Sequence, residues 1–247
     1  LCAVTVASGS DAAKNISHLV LMDNNFNSMP KIVYEGRRVI NNVQSSASLY
    51  LMKTLFVILL SIVTLALPIF RKYPFNLPHM IILEVFVIGL PSFFLSLQAN
   101  DSRVQGKFIS YVIKKSLPSA ILMFLNVLII YGVKYCFNYT GAIYADIYTT
   151  MCVYTFTFAG LINLFIICQP LNKYRTVLFF SNFIVVSVIY AYAIINGFPV
   201  LGLTKLLPVN TFWHHYLILF GLMILDVPLA YLLQFLIGKI KIKRKVE

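Results

Sequence analysis

The chain has 247 residues, of which 60% are hydrophobic and only 11% charged, with a formal net charge of +12. Soluble domains are roughly a quarter charged and just under half apolar, so a soluble globular fold is excluded and a bilayer is the solvent that accepts this surface. The basic residues stand mostly between apolar runs, where they orient helices and meet anionic headgroups, so the charge does not describe a nucleic-acid-binding patch.

Residues 1–30 read differently from the rest. Leu1 to Val6 is a short apolar, β-branched run that predicts a strand. Ala7-Ser8-Gly9 predicts a turn, with Ser10 as an N-cap and Asp11 in the first turn of a short helix over Ala12–Ser17. His18–Met22 predicts a second strand and Asp23-Asn24-Asn25 a turn. Strand, helix, strand is a slice of α/β architecture. About thirty residues bury no core of their own, so the slice is expected to have neighbours in a longer chain. The lack of an initiator Met carries the same expectation.

From Lys31 the pattern turns helical, after Ser28 and Pro30, which suit a helix start. Lys31 to Leu67 would span about 55 Å at ~1.5 Å per residue, nearly twice a ~30 Å hydrocarbon core. Its first part is polar and its second apolar, which predicts one rod with a stalk over 31–48 and a membrane half beyond. Six apolar segments follow, near Leu49–Phe70, His79–Leu97, Leu117–Phe137, Tyr144–Cys168, Thr176–Ile195 and Phe212–Ile240. Each approaches the ~20 residues of a spanning helix, and Pro228 is expected to kink the last. The connections after the second and fourth segments and the tail hold eleven Lys and Arg, against four (Arg71, Lys72, Lys134 and Lys205) on the opposite side. That bias predicts a multi-pass protein with both termini in the cytoplasm. The four cysteines, Cys2, Cys136, Cys152 and Cys168, have no CxxC spacing and are expected to be buried thiols rather than a disulfide or metal set. The fold class is therefore an all-α membrane protein with six transmembrane helices at 49–247 and a short α/β segment at its N-terminus.

Three ordered stretches carry a resemblance. Ala7-Ser8-Gly9-Ser10-Asp11-Ala12-Ala13-Lys14, followed by Leu19-Val20-Leu21-Met22-Asp23-Asn24-Asn25-Phe26, resembles the HAD-like phosphorylation domain of P-type cation-transporting ATPases. Glu35-Gly36-Arg37-Arg38 with Asn41-Asn42 resembles the stalk leading that domain into its fifth transmembrane helix, and Gly89-Leu90-Pro91 resembles the sixth-helix signature. The chain looks most like bacterial pumps for divalent or other inorganic cations, in the plasma membrane; its later four helices match in number and topology only. The resemblance implies helices five to ten of a ten-helix pump, with residues 1–30 the end of the phosphorylation domain. It implies that ATP and Mg²⁺ bind the intact pump outside this chain. The phosphate-accepting Asp-Lys-Thr-Gly motif does not occur here, so the chain by itself is expected to hydrolyse nothing. Its expected partners are the bilayer, the transported cation and the missing N-terminal part of the polypeptide, not nucleic acid.

Ionisable residues inside a bilayer are costly and face ions or partners. Glu84 lies shortly before Gly89-Leu90-Pro91, where glycine and proline loosen a helix and free carbonyls for a cation, so the reading favours a metal ligand over a structural ion-pair partner. Lys53 reads equally as a snorkelling lysine or as a built-in counter-charge to Glu84. Thr54 offers a hydroxyl ligand or a helix-packing contact. Calcium and sodium pumps carry an acid just before the Gly-Leu-Pro where this chain has Ile88, and a fifth-helix amide and acid where it has Thr54 and Val57. The departure leaves the ion open and favours one ion per cycle. Asp226 reads as a structural partner across helices, Asp146 as a solvated edge residue, and His214-His215 as part of an interfacial belt with Trp213 and Tyr216. The competing readings are a freestanding six-helix carrier or channel and a non-catalytic membrane subunit of a transporter.

Overall fold

A computed structural model describes residues 3–66, 73–100, 102–104, 107–136, 142–206 and 209–239, with the backbone alone at 142–145 and 209–212. Cys2, Arg71, Lys72, the ends of several predicted segments and the basic tail from 240 lie outside the described residues. The chain divides into two units, Leu1–Asn42 with Gln98–Gln105, and Val43–Leu97 with Gly106–Glu247.

In the first unit, β1 (Val4–Val6) and β2 (Leu19–Leu21) pair in parallel with Val4 opposite Leu19, joined by α1 (Asp11–Ile16). The helix starts where Ser10 Oγ accepts from the Ala13 N–H at 3.3 Å, a side-chain cap that satisfies one free backbone donor. Asn24 takes a left-handed φ of 54° and its side chain accepts from the Ser8 N–H at 2.8 Å, closing the turn back onto the first loop. Asp23 accepts from the Ser28 hydroxyl and the Asn25 N–H, and those donors hold its carboxyl below the usual carboxylate range. α2 (Met29–Ala66) then begins, a helix of 38 residues that also supplies the first membrane span of the second unit.

Among the described residues six helices are long and apolar enough to cross a membrane: Phe26–Ala66, Leu77–Leu97, Phe108–Cys136, Asp146–Cys168, Lys173–Asn196 and Trp213–Lys239. In α2, Leu49, Met52, Phe56 and Leu60 recur at helical spacing and are fully buried. Phe56 meets Phe75 and Phe156 as an aromatic cluster. The second span is composite: α3 (Leu77–Ile82), a π-helical stretch over Leu83–Gly89, and α4 (Leu90–Leu97). α5 (Phe108–Cys136) starts nine residues before the predicted segment, because its first turns are amphipathic and carry Lys114 and Lys115. α6 (Ala142–Cys168) is the hub, packed on α5, α7 (Lys173–Asn196), α8 (Val209–Lys239) and the second span. Gly160 marks a close approach of α6 to its neighbours: a Cβ there would stand 2.8 Å from Leu83 Cδ1 and 3.1 Å from both Met123 Cε and Val87 Cγ1. α8 continues as one helix through Pro228. Cys152 and Cys168 are buried as expected, whereas Cys136 is exposed, because it closes the last turn of α5 beyond the packed face.

Candidate functional site

The sequence places Glu84 in the second span, and the backbone there is not α-helical. Over Leu83–Gly89 the hydrogen bonds run to the fifth residue back, and the Leu90 N–H reaches the Val85 carbonyl. Such π segments widen a helix locally and recur at functional sites. Two residues require it. A Cβ at Gly89 would stand 2.9 Å from the Glu84 carbonyl oxygen, so only glycine admits this approach. Pro91 has no N–H to donate, which leaves a carbonyl of the preceding turn without its usual helical partner. Below, Ser92 Oγ bonds the Gly89 carbonyl at 3.0 Å, and Ser46 of α2 donates to the Ser92 carbonyl at 3.3 Å, tying the two spans together.

Lys53 of α2 reaches across and its Nζ pairs with Glu84 Oε1. Lys53 is half-buried and Glu84 exposed, at 31% and 44% side-chain exposure, so the pair opens on one face of the described bundle. The structure thus brings together two of the three singled-out residues. Thr54, next to Lys53 in sequence, donates its hydroxyl to the Tyr50 carbonyl one turn back at 3.1 Å, and the residue is exposed. Asp146 is exposed. His215 departs from the interfacial reading. It is 6% exposed and its Nε2 lies 3.1 Å from the Tyr148 hydroxyl, while Trp213 beside it is exposed. A helix turns neighbouring residues by about 100°, so adjacent His214 and His215 take different faces. Among the described residues no three His, Cys, Asp or Glu side chains converge as a ready metal cage.

No protein-family model matches the chain. It is 28% identical over 238 residues to the probable cation-transporting ATPase exp7 of Streptococcus pneumoniae serotype 4, a match covering 94% of this chain and 29% of that protein. It is also 31% identical over 204 residues to the calcium-transporting ATPase CtpE of Mycolicibacterium smegmatis, and 30% over 196 residues to CtpE of Mycobacterium tuberculosis. Those matches cover 79% and 76% of this chain, and 25% of each relative. The chain belongs to the cation-transporting P-type ATPases. It spans 25–29% of the length of these curated relatives, and its six apolar helices are those of a P-type ATPase membrane region.

Within this P-type ATPase chain, sequence reasoning missed several polar contacts. Asn41 of the stalk motif donates its amide to the Asn100 carbonyl at 3.0 Å and the Ser102 carbonyl at 2.8 Å, and Asn42 donates to the Gln98 carbonyl at 2.9 Å. The paired asparagines hold the connection that follows α4. Asn126 of α5 donates to Asp226 of α8 at 2.8 Å. No local signal points to these partners, because the acceptors lie far along the chain.

Proposed function

We propose that this chain is the transport region of an ATP-driven pump for an inorganic cation, divalent in the reading that fits the calcium-transporting relatives best. The observation that carries it is the Lys53–Glu84 pair beside a π segment held by Gly89 and Pro91. A carboxylate next to carbonyls released from helical bonding is an oxygen donor set of the kind a hard cation takes. Lys53 supplies a competing positive charge. When the cation arrives, the ammonium yields the carboxylate; when the ammonium returns, the cation is released. Thr54 keeps its hydroxyl lone pairs for a cation, its hydrogen being engaged by Tyr50. Among the described residues one carboxylate, Glu84, stands at the site, which favours one cation per cycle.

In this reading residues 1–30 close a HAD-like phosphorylation domain, 31–48 are the stalk and 49–247 the transport region. ATP and Mg²⁺ act in the remainder of the polypeptide, and this chain alone hydrolyses no ATP. Phosphorylation and dephosphorylation move the domain that contains residues 1–30, and α2 hands that movement to the Lys53–Glu84 level. The eleven-to-four distribution of Lys and Arg puts both termini in the cytoplasm of a plasma-membrane protein.

The direct test is Glu84→Gln in the full-length protein. Cation-stimulated ATP hydrolysis at sub-saturating cation is expected to fall at least about tenfold, the equivalent of ~1.4 kcal/mol of lost binding. Activity equal to wild type across the cation titration would remove Glu84 from the site.

A further inference from the structure

Asp226 is an intramembrane acid that the Lys53–Glu84 site does not use. It lies 13 residues before Lys239 on α8, about 20 Å along the axis, which puts it near mid-span. It is 2% exposed, and its Oδ2 accepts from Nδ2 of buried Asn126 at 2.8 Å. Among the described residues the ion pairs are Lys14–Asp11, Arg38–Glu35 and Lys53–Glu84, and none includes Asp226.

α8 packs on α5 and α6. On α5 the nearest titratable group along the axis is Tyr131, five residues from Asn126, or ~7.5 Å. Lys115 is eleven residues away in the other direction, or ~16 Å. The contact of Gly160 with Met123 sets the register of α6, bringing Thr157 level with Asn126 and Tyr154 one turn further, with Cys152 beyond. On α8 itself Tyr231 and Tyr216 flank Asp226 at five and ten residues. Among the described residues no cationic side chain of these elements pairs with the carboxyl. A buried carboxylate with one neutral amide donor is desolvated without compensation, whereas a carboxylic acid needs no counter-ion.

Polar groups continue from this pair along α5. Asn126, Ser119 and Ser116, with apolar Met123 between the first two, stand at steps of three and four on one helix face, and all are buried. Among the described residues Ser119 Oγ has no hydrogen-bond partner, and on α6 fully buried Asn163 has none for either Oδ1 or Nδ2. Asn163 is one turn from Gly160, on the side of α6 that meets Met123. Buried polar atoms left unsatisfied by protein are uncommon and call for a mobile polar partner such as water or a proton carrier. From Ser116, next to Lys115, to Asn126 this face covers ten residues, or ~15 Å.

We propose that Asp226 is a proton-binding site, reached from the Lys114–Lys115 end of α5 past Ser116, Ser119, Asn163 and Asn126, and that its proton moves during the transport cycle. The second clause rests on the pump reading above. Loading is one proton transfer: hydronium gives its proton to a carboxylate oxygen, leaving water and a carboxylic acid, and release reverses it. Asn126 is a positioning residue, since an amide donates to a carboxylate and accepts from an acid and so partners both forms.

Asp226→Asn keeps the size and the hydrogen bond to Asn126 but binds no proton. The full-length protein, reconstituted in phosphatidylcholine vesicles, is taken through a pH step while infrared difference spectra are recorded. Wild type is expected to show a carboxylic C=O band that shifts in D₂O, is absent from Asp226→Asn and is displaced in Asn126→Ala. A purely structural Asp–Asn contact predicts identical spectra for wild type and Asp226→Asn, and that result overturns the proposal. Should Asp226→Asn fail to fold, Asp226→Glu and Asn126→Ala decide: each must displace the band, and bands unmoved in both overturn it. This readout needs no ATP, so it stands if the pump reading falls. With an entrapped pH dye, ATP-driven cation uptake accompanied by proton movement, the latter largely lost in Asp226→Asn, is the expected transport result. Cation uptake with no proton movement in wild type overturns the second clause alone, whereas no ATP-driven uptake at all overturns the pump reading.

Discussion

Glycine at position 89 shapes the backbone under Glu84, because the 2.9 Å approach between its missing Cβ and the Glu84 carbonyl leaves a methyl group nowhere to go. Gly89→Ala is therefore expected to lower stability by about 1–3 kcal/mol, the usual cost of overpacking, or to force the turn back to α-helical bonding and swing Glu84 away from Lys53. A thermal unfolding midpoint in detergent and a cation titration both equal to wild type would count against the close approach. Lys53 carries the sharper question. If it is the counter-charge, Lys53→Ala raises apparent cation affinity, since nothing then competes for the Glu84 carboxylate. A lysine that merely reaches for the headgroups leaves the affinity where it was. At this scale the sequence was legible where chemistry is local: the Ser10 cap, the Asp23 turn and the breaking of the helix at Gly89-Leu90-Pro91 are written within a few residues of each other. The pairing of Lys53 with Glu84 was open from sequence, because a lysine near a helix end has several satisfactory places to put its charge. Asn126 and Asp226 lie 100 residues apart, so their bond had no local trace.

Among the elements, α2 is the one whose polar part has most to lose. Asn41 makes two bonds to carbonyls and Asn42 a third, all to the segment after α4. At ~0.5–1.5 kcal/mol per net hydrogen bond, Asn41→Ala together with Asn42→Ala is expected to loosen that segment by about 2–4 kcal/mol. Limited proteolysis would show it as faster cleavage between 98 and 104, with the rest of the chain unchanged; equal cleavage rates would assign the pair another role. Apolar content marked the segment that holds Leu49, Met52, Phe56 and Leu60 without singling out that buried stripe, and it passed over the start of α5, where Lys114 and Lys115 interrupt the apolar run while Val112 and Ser116 still pack inward. An apolar window reports what lipid tolerates, and a helix that reaches beyond lipid continues past that window.

For the whole molecule, the six spans were visible in sequence because length and apolarity alone select them in a bilayer. Which helix sits at the centre was not, since lipid-facing and protein-facing apolar residues look alike. The proposed orientation has its own test in Cys136. It is exposed at the same end of α5 as Lys134, whereas Cys152 and Cys168 are buried. In the full-length protein with Cys2 and any cysteines outside this chain removed, a membrane-impermeant maleimide is expected to label Cys136 in intact cells and not when added to inverted vesicles. Labelling only in inverted vesicles would reverse the topology. Finally, most of the α6 span is buried, whereas most of the α8 span is not. Its Thr157 is met by Tyr190 of α7 at 2.6 Å, and its Thr150 by Thr204, which follows α7, at 3.0 Å. During synthesis α6 leaves the ribosome before any of those companions exists. For that interval the hydroxyls of Thr150 and Thr157 lack the partners that α7 and the segment after it supply, so assembly of the nascent chain has to run as a relay in which each new helix relieves the one made before it.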